Sequence, residues 1–231
     1  MKIKYLFIIA LFCTGNYTTA QEEKKPGNDA PRQIALPYNR MIQPAGLQIY
    51  FGDESLENHA LDAAISPDGK WIAVEERYSI VFISTADNKV KFTLKLLEQS
   101  DLSGGMNTFS GIIWHNGNQT PEVYWSAIGK YKKSFVASAK WNGVKAEFGK
   151  IFEYKPDKGS EMALPNEILI NRESDKEYLY VVLNGNNKVI KQDLVSGDTI
   201  WAADPGVAPY GITSASGKIY VTNWAGRHPE E

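Results

Sequence analysis

Short apolar runs, many alternating with polar residues and each closed by Gly, Asn, Asp, Pro or Ser, follow one another along most of the chain. DAAISPDGKWIAVEE (62–76) reads as a strand, a Pro-Asp-Gly turn and a second strand, because Pro presets one corner of a turn and Gly takes the left-handed one. SIVFIST (79–85) predicts a third strand and VKFTLKLL, after Ala86-Asp87-Asn88, a fourth. The cycle recurs in SGIIWHNGNQTPEVYWSA (110–127), SFVASAKW and a strand near Ala146 to Phe152. The clearest unit spans 163–204. It has a strand at 167–171, a turn at 172–177, YLYVVL, an Asn-Gly turn, KVIKQDL and TIWAA. PYGITSASGKIYVTN (209–223) then predicts the first two strands of a further unit, and GLQIYFG (46–52) a lone strand ahead of the first. No segment carries a helical period of any length. LEQSDLSGGMN (97–107) has room for one turn of helix before Gly104-Gly105.

The second strands of these units start near Trp71, Val123, Leu179 and Ile219, which are 52, 56 and 40 residues apart. A β-sandwich also spaces its strands regularly, but here a whole four-strand cycle repeats, which is the signature of a propeller blade. The expected fold is all-β: a β-propeller of four-stranded antiparallel blades, with about three and a half blades in residues 34–231.

Composition changes the picture only at the N-terminus. Lys2 and Lys4 precede an apolar stretch from Tyr5 to Cys13, and Thr18-Thr19-Ala20 supplies small residues before Gln21. This reads as a signal peptide over 1–20, followed by a polar, flexible leader over 21–33, and it predicts export to the periplasm or medium. The apolar run is too short for a transmembrane segment, and Phe12 before Cys13 argues against lipid attachment. Cys13 is the single cysteine, so a mature chain has no disulfide, thiolate metal ligand or thiol nucleophile. Without Lys2 and Lys4, 23 basic residues face 27 acidic ones, a formal −4 that predicts no nucleic-acid partner.

Tyr220-Val221-Thr222-Asn223 spells the motif that names the YVTN family of β-propeller repeats, flanked by Pro209-Tyr210-Gly211-Ile212 and Gly217-Lys218. Ser66-Pro67-Asp68-Gly69-Lys70 matches the turn of such a repeat and Tyr180-Val181-Val182-Leu183-Asn184 is a variant of its strand. The second unit departs most, with Trp114-His115-Asn116-Gly117 at the turn. The stretch from LPYNRMIQPAGLQIYFG to SIVFIST resembles the start of exported bacterial proteins that join an N-terminal YVTN propeller to an alkaline-phosphatase-like phosphoesterase domain. That resemblance implies further blades and a metal-dependent hydrolase in the same parent chain as partners, with another protein as the alternative. It covers 35–227 and speaks to fold more than to function.

Such a hydrolase needs clustered Asp and His to hold two metal ions, whereas His59, His115 and His228 fall in different units. No Ser or Thr has a neighbouring His and carboxylate in a recognisable spacing, and Glu75 and Glu76 point to opposite faces of a strand. The chain therefore reads as non-catalytic, with no cofactor and no metal site. The rival is a propeller enzyme or a cofactor- or metal-binding protein working at the channel mouth.

The loops leading into the innermost strands converge on that mouth in a propeller. Here they carry His59, Asp62, Asn107, Ser110, Asn166, Glu167 and Tyr210. These groups either hold a small polar ligand or satisfy backbone groups and channel water. His115 in a turn and His228 in the tail read as solvated, and the 184–187 Asn-Gly-Asn-Asn run as a hairpin turn. Trp71, Trp125, Trp141 and Trp201 are expected to fill the space between blades.

Overall fold

The computed structural model describes residues 34–43, 45–116 and 120–225, so the signal and leader segments and His228 lie outside the described residues. The chain divides into two units, one up to Gln48 and one from Ile49 on. In the first, β1 (Ile34–Leu36) and β2 (Arg40–Ile42) form a short antiparallel hairpin. Tyr38 and Asn39 turn it with φ of 65° and 56°.

The second unit is a series of antiparallel meanders. The first sheet contains β3 (Ala60–Ile65), β4 (Trp71–Glu76), β5 (Ser79–Ser84) and β6 (Lys89–Lys95) in that order. The second contains β7 (Met106–Asn116), β8 (Pro121–Ile128), β9 (Ser134–Trp141) and β10 (Ala146–Tyr154). The third contains β11 (Pro165–Glu173), β12 (Lys176–Leu183), β13 (Lys188–Asp193) and β14 (Thr199–Ala203). The described residues close with the pair β15 (Pro209–Ala215) and β16 (Lys218–Asn223). The first strand of each sheet lies against the first strand of the next, β3 beside β7, β7 beside β11, β11 beside β15. Successive sheets fanned around their first strands make this a partial β-propeller, as the repeat predicts.

Local chemistry sets the turns. Ser66 donates from Oγ to Asp68 Oδ1 (2.6 Å) and accepts from Trp71 N (3.0 Å), which fixes the β3–β4 corner at the left-handed Gly69. Asp193 Oδ1 caps Val195 N and Ser196 N in the β13–β14 turn, and Asn142 does the same for Val144 and Lys145. The predicted helical turn is a short 3-10 segment, Leu96–Glu98. The predicted turn at 172–177 shrinks to two residues, because β11 and β12 pair out to Glu173↔Lys176.

Packing lies between sheets. Trp141 of the second sheet stacks on Phe82 of the first at 4.4 Å and 5°, and Trp71 meets it edge-on at 4.9 Å. Leu94, Ile112, Trp114, Val123 and Trp125 complete this core. A second core joins the second and third sheets through Tyr124, Val136, Ile168, Leu179 and Val181. Burying a Trp or Phe in such a core is worth ~3–5 kcal/mol against Ala. Two expectations change here. Trp201 is 39% exposed, because every residue of the edge strand β14 is exposed, and it meets Tyr180 edge-on within its own sheet. Residues 46–52 form no strand. Instead Ile49 and Phe51 pack on Val74, Val81 and Ile83, and so cover the far face of the first sheet.

Candidate functional site

The innermost strands share one irregularity. In β3, β11 and β15 one extra residue stands between the pairs that flank it (Ala60↔Glu76 and Asp62↔Glu75; Pro165↔Leu183 and Ile168↔Val181; Pro209↔Asn223 and Ile212↔Val221). β7 has a longer version between Asn107↔Ala127 and Ile112↔Trp125. Bulges of this kind re-aim side chains at the rim of a sheet. Stepping one residue from Ala63, Ile112, Ile168 and Ile212 toward the bulge gives Asp62, Gly111, Glu167 and Gly211. The matching column on the second strands is Glu75, Ser126, Val182 and Thr222.

These columns meet between sheets. Asp62 Oδ2 accepts from Gly111 N at 3.0 Å and its Oδ1 from Ala63 N at 2.8 Å. Ser126 Oγ donates to the Asn166 carbonyl at 2.6 Å. Gly111, at φ +111°, is pressed so close that a Cβ there would stand 2.1 Å from Asn166 O and 2.8 Å from Ser126 Oγ. Glycine is the residue that permits both the angle and the approach.

Glu75 stands directly opposite Asp62, so the two side chains share a face, and Ala73, two residues away on that face, belongs to the core with the second sheet. Glu75 is 0% exposed and neither carboxylate oxygen has a hydrogen-bond partner. Its carboxyl is held well above the ordinary 4.5, first by burial and then by the charges of Asp62 and Glu167. Glu167, half-buried on β11, is pushed up to about 7 by burial and then by Asp62, against a backbone hydrogen bond from Ile168 that lowers it. Three carboxyl groups from two alternate sheets thus act on one another around Gly111.

The structure divides the seven expected mouth residues. Asp62 and Glu167 join Glu75. Asn107 is buried, and its Nδ2 donates to Glu76 O (2.6 Å) and Ser79 O (3.1 Å), tying β7 to the first sheet. Ser110 is buried with its hydroxyl unpartnered, and Asn166 offers its carbonyl to Ser126. Tyr210 stacks on Trp224 at 4.5 Å. His59 is half-exposed beside Glu57 (3.2 Å), which also takes Arg77 at 2.8 Å. Among the described residues no group of three or more His, Cys, Asp and Glu is placed to hold a metal ion.

A groove of about 860 Å³ is lined by His59, Leu61, Arg77, Phe109, Tyr131 and Leu164 among others, from the first two sheets and the stretch leading into the third. None of Asp62, Glu75 and Glu167 lines it, so groove and carboxylates are separate places.

One other expectation is corrected: His115 belongs to β7 rather than a turn. Its ring is mostly buried, its Nε2 stands 3.0 Å from Glu177 Oε2 of the next sheet, and Tyr124 meets it edge-on. The 184–187 run is the expected hairpin turn between β12 and β13, with Leu183 paired to Lys188, and takes the form of a 3-10 turn ending in left-handed Asn187. Its asparagines also clasp neighbours: Asn184 Nδ2 donates to Pro209 O, and Asn187 Oδ1 accepts from Ala208 N.

No family model and no curated protein matches the chain. Among solved structures it is similar to the hydrazine synthase of Kuenenia stuttgartiensis, at 16% identity and a TM-score of 0.50, over 71% of this chain and 55% of that one. A chain of a nidogen/laminin complex matches with 16% identity and a TM-score of 0.48, over 69% of this chain and 54% of that one. The chain thus spans about half the length of these structures. At 16% identity the likeness to the hydrazine synthase speaks to fold alone, and it agrees with the propeller seen in the sheets.

Proposed function

We propose that the chain is a non-catalytic binding module, a YVTN-type propeller that presents a polar site at the channel end of its innermost strands. The observation that carries this reading is the meeting of Asp62, Glu75 and Glu167, with the carboxyls of Glu75 and Glu167 raised first by burial and then by the neighbouring acidic charges. Buried like charges cost stability unless something compensates them, which is a cost ordinarily kept for a ligand. The signal-like pattern of residues 1–20 supports export. The YVTN motif and the resemblance over residues 36–85 support a place ahead of further blades and a phosphoesterase domain.

One observation favours a second reading, an enzyme of the channel: a carboxyl titrating near 7, as in Glu167, suits general acid–base work. A single experiment separates the two. The purified chain is screened by thermal melting against cations, anions, sugars and nucleotides, and assayed for phosphate-ester hydrolysis with Mg²⁺ or Zn²⁺. The binding reading expects a melting shift that Asp62→Asn removes, with no turnover. Turnover lost in Glu167→Gln would overturn it.

A further inference from the structure

The ligand class follows from what surrounds Glu75. The charges that act on Glu75 are those of Asp62 and Glu167, and the charge that acts on Glu167 is that of Asp62; every one is a carboxylate. Asp62 and Glu167 are half-buried on the innermost strands, while Glu75 lies fully buried behind Asp62 on β4. Asp62 spends one oxygen on Ala63 N and the other on Gly111 N, and an oxygen of that kind still has a free lone pair. Glu75 has both oxygens unpartnered. In the next sheet the equivalent position carries Ser126, which is fully satisfied by Asn166 O. A neutral donor therefore closes this position in the second sheet, whereas in the first a longer, acidic side chain stands there without a hydrogen bond.

We propose that Asp62, Glu75 and Glu167 form a binding site for an organic ammonium group, a primary amine or polyamine entering along the innermost strands. The inference rests on the reading of this channel end as a binding site. A metal ion asks its donors to converge within about 2.0–2.6 Å of one point, and among the described residues no such group exists. A single ammonium also needs its acceptors within about 2.7–2.9 Å of one nitrogen, but a polyamine carries several ammonium groups along one chain, so carboxylates on two sheets can each take a different one.

The test is calorimetric titration of the purified full chain with spermidine in 150 mM salt, where exposed charge pairs are screened. Asp62→Asn and Glu167→Gln keep the side chain's shape and one of its two acceptor oxygens but remove the charge, and each is expected to weaken spermidine at least about tenfold, a fraction of what losing a charge-assisted bond allows. Far-UV circular dichroism and melting check that each variant folds. Glu75→Gln supplies a third arm with the same expected direction. Asp198→Asn, exposed at the β13–β14 turn, is expected to leave the affinity unchanged. Equal weakening by Asp198→Asn would reduce the effect to bulk charge and overturn the site. Asp62-dependent binding of Ca²⁺ or Mg²⁺ with a flat spermidine titration would overturn the amine in favour of a metal. A flat titration while another ligand class gives an Asp62-dependent melting shift would overturn the amine and leave the binding module standing. No Asp62-dependent response to any class would overturn both.

Discussion

Glu75 and Ser126 occupy the same place in successive sheets, yet they solve its problem in opposite ways. Ser126 is fully buried and donates at 2.6 Å to the carbonyl of Asn166, so the seam between the second and third sheets closes with a satisfied hydrogen bond. Glu75, equally buried, faces Asp62 and gains no partner. A carboxylate that is desolvated and set among others is worth less to the fold than a hydroxyl with one acceptor. The first seam keeps acid where the second keeps a bond, and the difference marks the first as the place where something outside the fold completes the chemistry.

The sharpest way to break the comparison is to force both seams apart at their common pivot. Gly111→Val would put a Cβ 2.1 Å from Asn166 O at a φ of +111°, with backbone on the other side that has nowhere to move. A loss of about 3 kcal/mol or more is expected, from strain and overpacking together. Gly143→Ala is the control, since Gly143 has φ +90° but no atom within 4 Å of its added Cβ. Its expected loss, about 1 kcal/mol, is the strain alone. Urea unfolding followed by Trp fluorescence reads both.

Next in size is the aromatic packing. Trp141→Ala removes a buried ring stacked on Phe82 between the first two sheets, and about 3–5 kcal/mol is expected. Trp201→Ala, on the exposed edge strand β14, is expected to cost under about 1 kcal/mol by the same measurement.

These two tryptophans also show what the sequence makes legible. Period-two runs and Pro-Asp-Gly or Asn-Gly corners place the strands of every sheet within a few residues, because register and turn chemistry are local. Which tryptophan is buried is not local. Trp141 and Trp201 both sit in good strands, but Trp141 is covered by Phe82 and Trp71 of the preceding sheet, whereas Trp201 lies on an exposed edge strand. Glu75 is the instructive omission. Judged along its own strand, it and Glu76 point to opposite faces, and Glu76 does accept from Ser79 Oγ at 2.7 Å on its side. Aligning the repeats on YVTN puts Glu75 in the column of Ser126, Val182 and Thr222, and that alignment shows an acid where the other repeats carry none. His115 needed Glu177 from another sheet, 62 residues away, to explain its burial.

A smaller effect tests the seams directly. Ser126→Ala leaves the buried Asn166 carbonyl without its donor, and a loss of about 1–3 kcal/mol is expected. Glu75→Gln does the reverse. It removes a carboxyl whose ionisation burial disfavours, so the variant is expected to gain stability on the parent as pH rises while binding its ligand less well. A Glu75→Gln protein that loses stability against the parent as pH rises would mean that the fold itself uses the charged acid.

The smallest effect is the most specific, because it carries a sign. Glu167 titrates near 7 in the folded chain and at about its ordinary 4.5 when unfolded, and Glu75 is raised in the same direction. Over that interval the folded state holds more protons than the unfolded one, so stability falls as pH rises. The contribution is fully present below about 4.5 and is lost as pH passes through about 7. Exposed carboxylates such as Asp53, Asp68 and Asp193 are lowered, mainly by hydrogen bonds, and pull the other way at more acidic pH. The quantity to read is therefore the parent's stability minus that of Glu167→Gln, by urea unfolding at pH 4, 5.5, 7 and 8. It should decline between pH 4 and 7 and flatten by pH 8, and the parent's stability minus that of Glu75→Gln should also decline as pH rises. A difference that is flat, or that rises with pH, would show that Asp62 and Glu167 do not repel one another across the Gly111 pivot, and the carboxylate site would fall with it.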